Sequence, residues 1–262
     1  RREIEVFKLE EGECLMEGML KLYSPINELK QIGENIWIVD GNEIHMSFKL
    51  FKVPFTTRMT IVKLDNNKLW IHSPIAFNKE LNDKIKELGD IEHIIAPNKY
   101  HYSYVLDWYK HYPDAKVWLA KGVSTKLKID ERENFVSLDN ISKTSWSEEI
   151  YFTPFRGSIA MEEMVFFHKK SSTLILTDLI ESIEVNKLPL LYKLVFKFGD
   201  NKYPKFRTSR DLRSSFIFKK QAKDSYSKIE SWKPDKIVFS HGKIILENGT
   251  EKLKEAFYWL RK

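Results

Sequence analysis

The chain has 262 residues, 43 basic against 37 acidic side chains, and a net charge of +6 at neutral pH with histidine uncharged. A 42% hydrophobic fraction with 7 Trp, 11 Tyr and 17 Phe supplies a large core and excludes general disorder. Ten glycines, nine prolines and no period of about 20–50 residues exclude propellers, β-helices and repeat arrays.

In chain order, residues 1–34 are charged and lack a sustained period, and are expected to form an N-terminal extension to a domain spanning 35–262. The opening RREIEVFKLEEGE is too charged for the apolar core of a signal peptide. A single cysteine, Cys14, forbids an intramolecular disulfide and any cysteine-based zinc cluster, which favours a reducing compartment. NIWIVD (35–40) reads as a strand ending at the turn dipeptide Asp40-Gly41, and 43–53 as a second strand. RMTIVKLD (58–65) and KLWIHSP (68–74) flank Asn66-Asn67 as a hairpin. The spacing of Leu81, Ile85 and Leu88 predicts an amphipathic helix over 78–89, capped by Asn78 and ended by Gly89. DIEHIIAP (90–97), a helix placing Tyr104 and Trp108 on one face, and AKVWLA (115–120) form a βαβ unit.

Further strands are expected at 134–138, 149–155, 163–169, 173–179, 235–242 and 243–249, with helices at about 188–198 and 208–230. A closing helix at 250–262 has Thr250 as its cap. The stretch LPLLYKLVFKF (188–198) carries Lys193 and Lys197 and falls short of the ~20 residues of a spanning helix, so a soluble, cytoplasmic protein without a membrane span is expected. Two β-rich halves with helices outside predict an α/β (α+β) four-layered αββα sandwich.

Several runs line up in a definite order. IIAPNKYHYSYVLDWYKHYPDAKVWLA (94–120) resembles the strand–loop–helix–strand of the metallo-β-lactamase superfamily, whose members carry HxHxDH on the loop and often YPDAKV after the helix. Counting back from YPDAKV (112–117) places His101 on the last histidine of that motif. Ala96, Asn98 and Tyr100 then fall on its first histidine, second histidine and aspartate. TPFRGS (153–158) resembles the TPGHT segment, with Arg156 in place of its histidine. TLILTDLI resembles the strand that delivers a bridging aspartate, here Asp178, and IVFSHG the strand that ends in the final histidine, His241. LWIHSPIA has Ser73-Pro74 where ordinary members carry an aspartate, which is similar to an uncharacterised, domain-of-unknown-function branch.

The resemblance implies a lost first metal site: alanine has no donor atom, Asn98 offers a neutral carbonyl, and the Arg156 guanidinium repels a cation. It implies a second site of His101, Asp178 and His241, suited to one zinc or iron ion, with Tyr100 or Arg156 orienting substrate or stabilising developing negative charge. The expected function is that of a metallo-hydrolase-like protein with at most one metal. It would activate water against a small-molecule ester, thioester, lactone or phosphodiester.

Other residues give weaker patterns. His72 and Ser73 are neighbours on a strand and point to opposite faces, as do Glu162 and Glu163. Arg58 and Arg156 suit either an anionic substrate or surface ion pairs. Between 202 and 223, eight basic residues face only Asp211, with Phe206, Phe216 and Phe218 interleaved. That segment supports the alternative of a metal-free pseudoenzyme, a binding module for an anionic partner such as nucleic acid or an acidic protein. No glycine-rich phosphate loop or dinucleotide fingerprint is present.

Overall fold

A computed structural model of the protein describes residues 20–48, 51–129, 134–139, 141–188, 193 and 199–261. Residues 1–19 of the expected extension, and nearly all of the helix expected at 188–198, lie outside the described residues. The first sheet takes seven strands in sequence order: β1 (Lys30–Gly33), β2 (Ile36–Phe48), β3 (Phe51–Lys63), β4 (Lys68–His72), β5 (Asp90–Ala96), β6 (Lys116–Leu119) and β7 (Phe135–Ser137). Its first four strands pair antiparallel; from β4 to β7 the pairing is parallel. Parallel neighbours need crossovers. These are supplied by α1 (Lys79–Leu88), α2 (Val105–His111) and, between β6 and β7, the segment that holds the short helix Val123–Leu127. As expected, the Asn78 side chain caps α1, accepting the Leu81 N–H at 2.8 Å.

The second sheet runs β11-β10-β9-β8, from β8 (Ile150–Phe155), β9 (Glu163–His168), β10 (Thr173–Ile175) and β11 (Lys236–Val238). Every residue of β9 is buried, so its two-residue side-chain period feeds two different layers. Met164 and Phe166 join the core against the first sheet, where Phe166 meets the Trp70 ring edge-on at 5.0 Å. Val165 and Phe167 face the other way, toward α5 (Lys219–Ser231) and α6 (Gly249–Ala256), through Ala222, Ile229 and Leu253. Burying a ring of this size is worth about 1.5–3 kcal/mol. With α1 and α2 on the first sheet, the layers are αββα. The remaining short helices are α3 (Val123–Leu127) and α4 (Arg210–Ser214).

Five expectations are corrected. β2 does not end at Asp40-Gly41 but runs through it with a register shift between Asp40 and Glu43, so the expected second strand at 43–53 is shared between β2 and β3. The helix expected at 208–230 is split into α4 and α5, because Phe216 turns into the core and bridges Ser158. The strand expected at 243–249 is reduced to a single bridge, Ile237 to Ile245. Thr250 does not cap the last helix; its hydroxyl donates to the Pro234 carbonyl at 2.8 Å. Lys30–Gly33, placed in the extension by sequence, forms the edge strand β1. Among the described residues no helix is long and apolar enough to cross a membrane.

Two core histidines make stability depend on pH. His93 and His168 are buried, and burial above all, helped by Lys116 and Lys170 respectively, depresses each to about 4. The unfolded value is about 6.5, so between there and pH 4 the unfolded chain binds protons that the folded chain refuses. Their contribution is complete above pH 6.5 and is lost as pH falls. Glu163 and Glu181, whose carboxyls burial raises to about 7, act in the opposite sense over the same window, so the histidine contribution is read as a difference. In urea unfolding, His93→Gln and His168→Gln proteins are each expected to lose less stability between pH 7 and 4.5 than the parent does, by about 2–3 kcal/mol. The same pH dependence in parent and variants would contradict this.

Candidate metal centre

Three loops at the same end of the two sheets bring His101, Asp178 and His241 together, as the ordered motifs predict. One ligand atom from each lies within 4.8 Å of the others. Both imidazoles aim Nε2 at one carboxylate oxygen: His101 Nε2 is 3.0 Å, and His241 Nε2 3.3 Å, from Asp178 Oδ1. Two donors about 2.0–2.1 Å from a shared tetrahedral ion sit roughly 3.3 Å apart, so these separations fit a common cation.

The outer partners decide which nitrogen is free. His241 Nδ1 donates to the Thr56 carbonyl at 2.9 Å and therefore carries the proton. Its Nε2 then faces Asp178 either as an imidazolium or as a lone pair directed at a cation. His101 Nδ1 lies 2.8 Å from Ser73 Oγ, with Ser240 Oγ at 3.5 Å. Ser73 stands at the end of β4 in a left-handed conformation, φ +50°. Such outer contacts fix ring orientation in metal sites.

Asp178 is held by residues that sequence reading did not place in the site. The Asn98 amide nitrogen lies 2.8 Å from Asp178 Oδ2, 2.8 Å from Thr177 Oγ1 and 3.1 Å from Glu163 Oε2. The Asn98 carbonyl accepts the N–H groups of Tyr100 and His101, shaping the turn that presents His101. Glu163, fully buried at the start of β9, accepts the N–H groups of Thr177 at 2.6 Å and Asp178 at 2.9 Å. Burial raises its carboxyl well above the usual range, and the nearby Asp178 adds to that. Burial also pushes Asp178 upward, but the His101 charge and the hydrogen bonds of His101 and His241 outweigh it and hold Asp178 far below the usual range. The signal for Glu163 was that, of the adjacent pair Glu162 and Glu163, it is the acid that opens the largely apolar run EMVFFH.

Arg58 holds the His241 loop. Sequence reading offered it for an anionic substrate or a surface ion pair, yet it is buried. Its Nη1 donates to the Phe239 and Gly242 carbonyls, at 2.6 and 3.0 Å, on either side of His241. Its other face pairs with buried Asp40, at 2.8 Å from Nε and 2.7 Å from Nη2. Gly242, at φ +110°, follows His241 so closely against Ser182 that an added Cβ would lie 2.1 Å from the Ser182 carbonyl oxygen.

Tyr100 lines a small cavity, open to solvent, together with His101 and His241. Arg156 does not line it; the side chain is half-exposed and pairs with Glu162 at 3.5 Å. The basic segment at 202–223 is partly neutralised from just outside the window. Asp200 accepts from Lys205, Arg207 and Arg213 at 3.0–3.1 Å, and Arg207 also lies over the Tyr258 ring at 4.6 Å. Burial raises the Asp200 carboxyl, but those three hydrogen bonds outweigh it and bring it down to about 2.

A family model described as a domain of unknown function (DUF4336) matches residues 34–215. No curated protein matches the sequence. Among solved structures, the DIM-1 metallo-beta-lactamase is similar with a TM-score of 0.59 at 11% identity, covering 91% of this chain and 97% of that one. A metallo-beta-lactamase from Pontibacter korlensis gives 0.56 at 10% identity, covering 92% and 100%. A diflavin flavoprotein A 5 fragment (residues 1–254) from Nostoc sp. PCC 7120 gives 0.54 at 10% identity, covering 89% and 94%. At these identities the likeness establishes the metallo-beta-lactamase fold.

Proposed function

The chain belongs to the DUF4336 family, a domain of unknown function, and on that premise we propose that it is a hydrolase using a single zinc or iron ion held by His101, Asp178 and His241. The observation that carries this reading is the convergence of two Nε2 atoms and one carboxylate oxygen, with the His241 Nδ1 proton committed to Thr56 and His101 Nδ1 tied to Ser73. Two imidazoles and one carboxylate with a free position form a donor set used by catalytic zinc and non-haem iron. When bound, the ion supplies an activated water near neutral pH and polarises the bond to be cleaved.

The chain's own residues do the rest. Thr56 and Ser73 hold the two rings so that their lone pairs meet at one point. Asn98 engages Asp178 Oδ2 and leaves Oδ1 for the histidines. Arg58 keeps the loop bearing His241 in register with β3. Tyr100, in the cavity wall, donates its phenol proton in a hydrogen bond to the oxygen on which negative charge develops. Substrates for such a site are esters, thioesters, lactones or phosphodiesters.

Chelator treatment is expected to abolish hydrolysis of a chromogenic ester, and zinc or iron added back is expected to restore it. Activity that survives complete removal of metal would overturn the reading.

A further inference from the structure

The chemistry of the cavity wall narrows the substrate class. On the side of His101 and His241 that opens to solvent, the wall presents the apolar faces of Phe55, Pro74, Tyr100 and Tyr104. Ile44 adds to the apolar lining, and the neutral polar groups are the hydroxyls of Thr57, Ser73 and Ser103 and the two tyrosine phenols. His45, at the edge, faces Glu43 at 3.5 Å. Among the described residues lining this cavity there is no lysine or arginine. The Tyr104 phenol, raised above its ordinary value by burial and then by Asp107, is neutral across the physiological range.

A charged group resting on this wall, away from the ion that the scissile carbonyl would engage, gives up hydration and meets no lysine or arginine among the lining residues, which is costly; Lys99 lies over the Tyr100 ring at 5.6 Å but does not line the cavity. Phosphodiester cleavage gains in particular from a second cation that clamps attacking and leaving oxygens. Here that option is closed by a hydrogen-bonding group, because the Asn98 amide nitrogen lies among the Asp178, Thr177 and Glu163 oxygens. An uncharged carbonyl ester loses little on entry, and its apolar acyl group gains contact with the aromatic faces.

We infer that the substrate is an uncharged ester, thioester or lactone whose flat or apolar acyl group rests on Phe55, Pro74, Tyr100 and Tyr104, to the exclusion of phosphodiesters. This rests on the reading of His101, Asp178 and His241 as a metal site. In the reaction the oxygen of water bonds to the carbonyl carbon and the carbon–oxygen or carbon–sulfur bond breaks. The leaving oxygen or sulfur takes up one proton of that water.

The test compares para-nitrophenyl butyrate with mono-para-nitrophenyl succinate, which differ by a carboxylate in place of a terminal methyl group. Each is measured on zinc-loaded protein above its own uncatalysed rate. The butyrate is expected to have at least a ten-fold higher kcat/KM. Ser103→Lys, which places a cation in the wall, is expected to narrow the gap by raising the succinate value, with zinc affinity by calorimetry unchanged. Equal or reversed preference in the unaltered protein would overturn the inference. So would comparable cleavage of bis(para-nitrophenyl) phosphate, or no turnover of either carboxylic ester by protein that binds zinc. Failure to bind zinc in the same calorimetry would instead overturn the metal reading, and the titration tells the two failures apart.

Discussion

Asp40→Ala is expected to destabilise the protein by about 3–5 kcal/mol, a large part of the ~5–15 kcal/mol that holds a typical domain together. Asp40 is buried and faces two cations, Arg58 at 2.7 Å and Lys30 at 2.8 Å. Removing the carboxylate leaves the Arg58 guanidinium in the interior with no anion beside it, facing the Phe239 and Gly242 carbonyls and the Tyr23 ring at 5.3 Å. The midpoint of urea unfolding should fall with no change in slope. Replacing both partners, Asp40→Leu with Arg58→Met, should recover part of the loss, because no buried charge is then left alone. The double variant should still bind metal more weakly, since nothing then ties the loop on either side of His241. An Asp40→Ala protein as stable as the parent would show that the pair is hydrated rather than buried.

Asp178→Asn is expected to have the largest effect on metal binding. It removes the one anionic donor of the three and leaves two neutral imidazoles beside an amide whose nitrogen repels a cation. Substituting an outer partner of a metal ligand typically costs about 10–100-fold in affinity, so Ser73→Ala and Asn98→Ala should fall in that range and Asp178→Asn well beyond it. Competition against a chromophoric chelator measures all three. An Asp178→Asn protein no weaker than the Ser73→Ala protein would remove Asp178 from the ligand set.

Which parts of this structure could be read from the sequence depended on how local their causes are. The helix at 78–89 was legible because its cap, its stripe and its terminating Gly89 all lie within twelve consecutive residues. His101, Asp178 and His241 were legible through the order of short motifs, although 77 and 63 residues separate them. Asp40-Gly41 misled because the dipeptide is a turn signal only when its side chains are free to face water. Here Asp40 is drawn inward by Arg58 and Lys30, and Gly41 packs so closely that an added Cβ would lie 2.6 Å from Thr57 Oγ1 and 3.0 Å from Ile75. A glycine at a strand irregularity marks a close approach of this kind. Arg58 was read as a substrate anchor or a surface ion pair, not as a buried clamp, because charge in sequence carries no sign of burial; its carbonyl partners lie 181 and 184 residues away. Asn98 was read as a failed ligand, but its amide hydrogens make it the hub that holds Asp178 in place.

The reading of His101, Asp178 and His241 as a one-ion site is tested most directly by titrating zinc into metal-stripped protein in a calorimeter. The expected result is one ion per chain, with no measurable binding once His101 and His241 are both replaced by alanine in protein that remains folded. Two ions per chain, no ion at all, or one ion retained by the doubly substituted protein would contradict it.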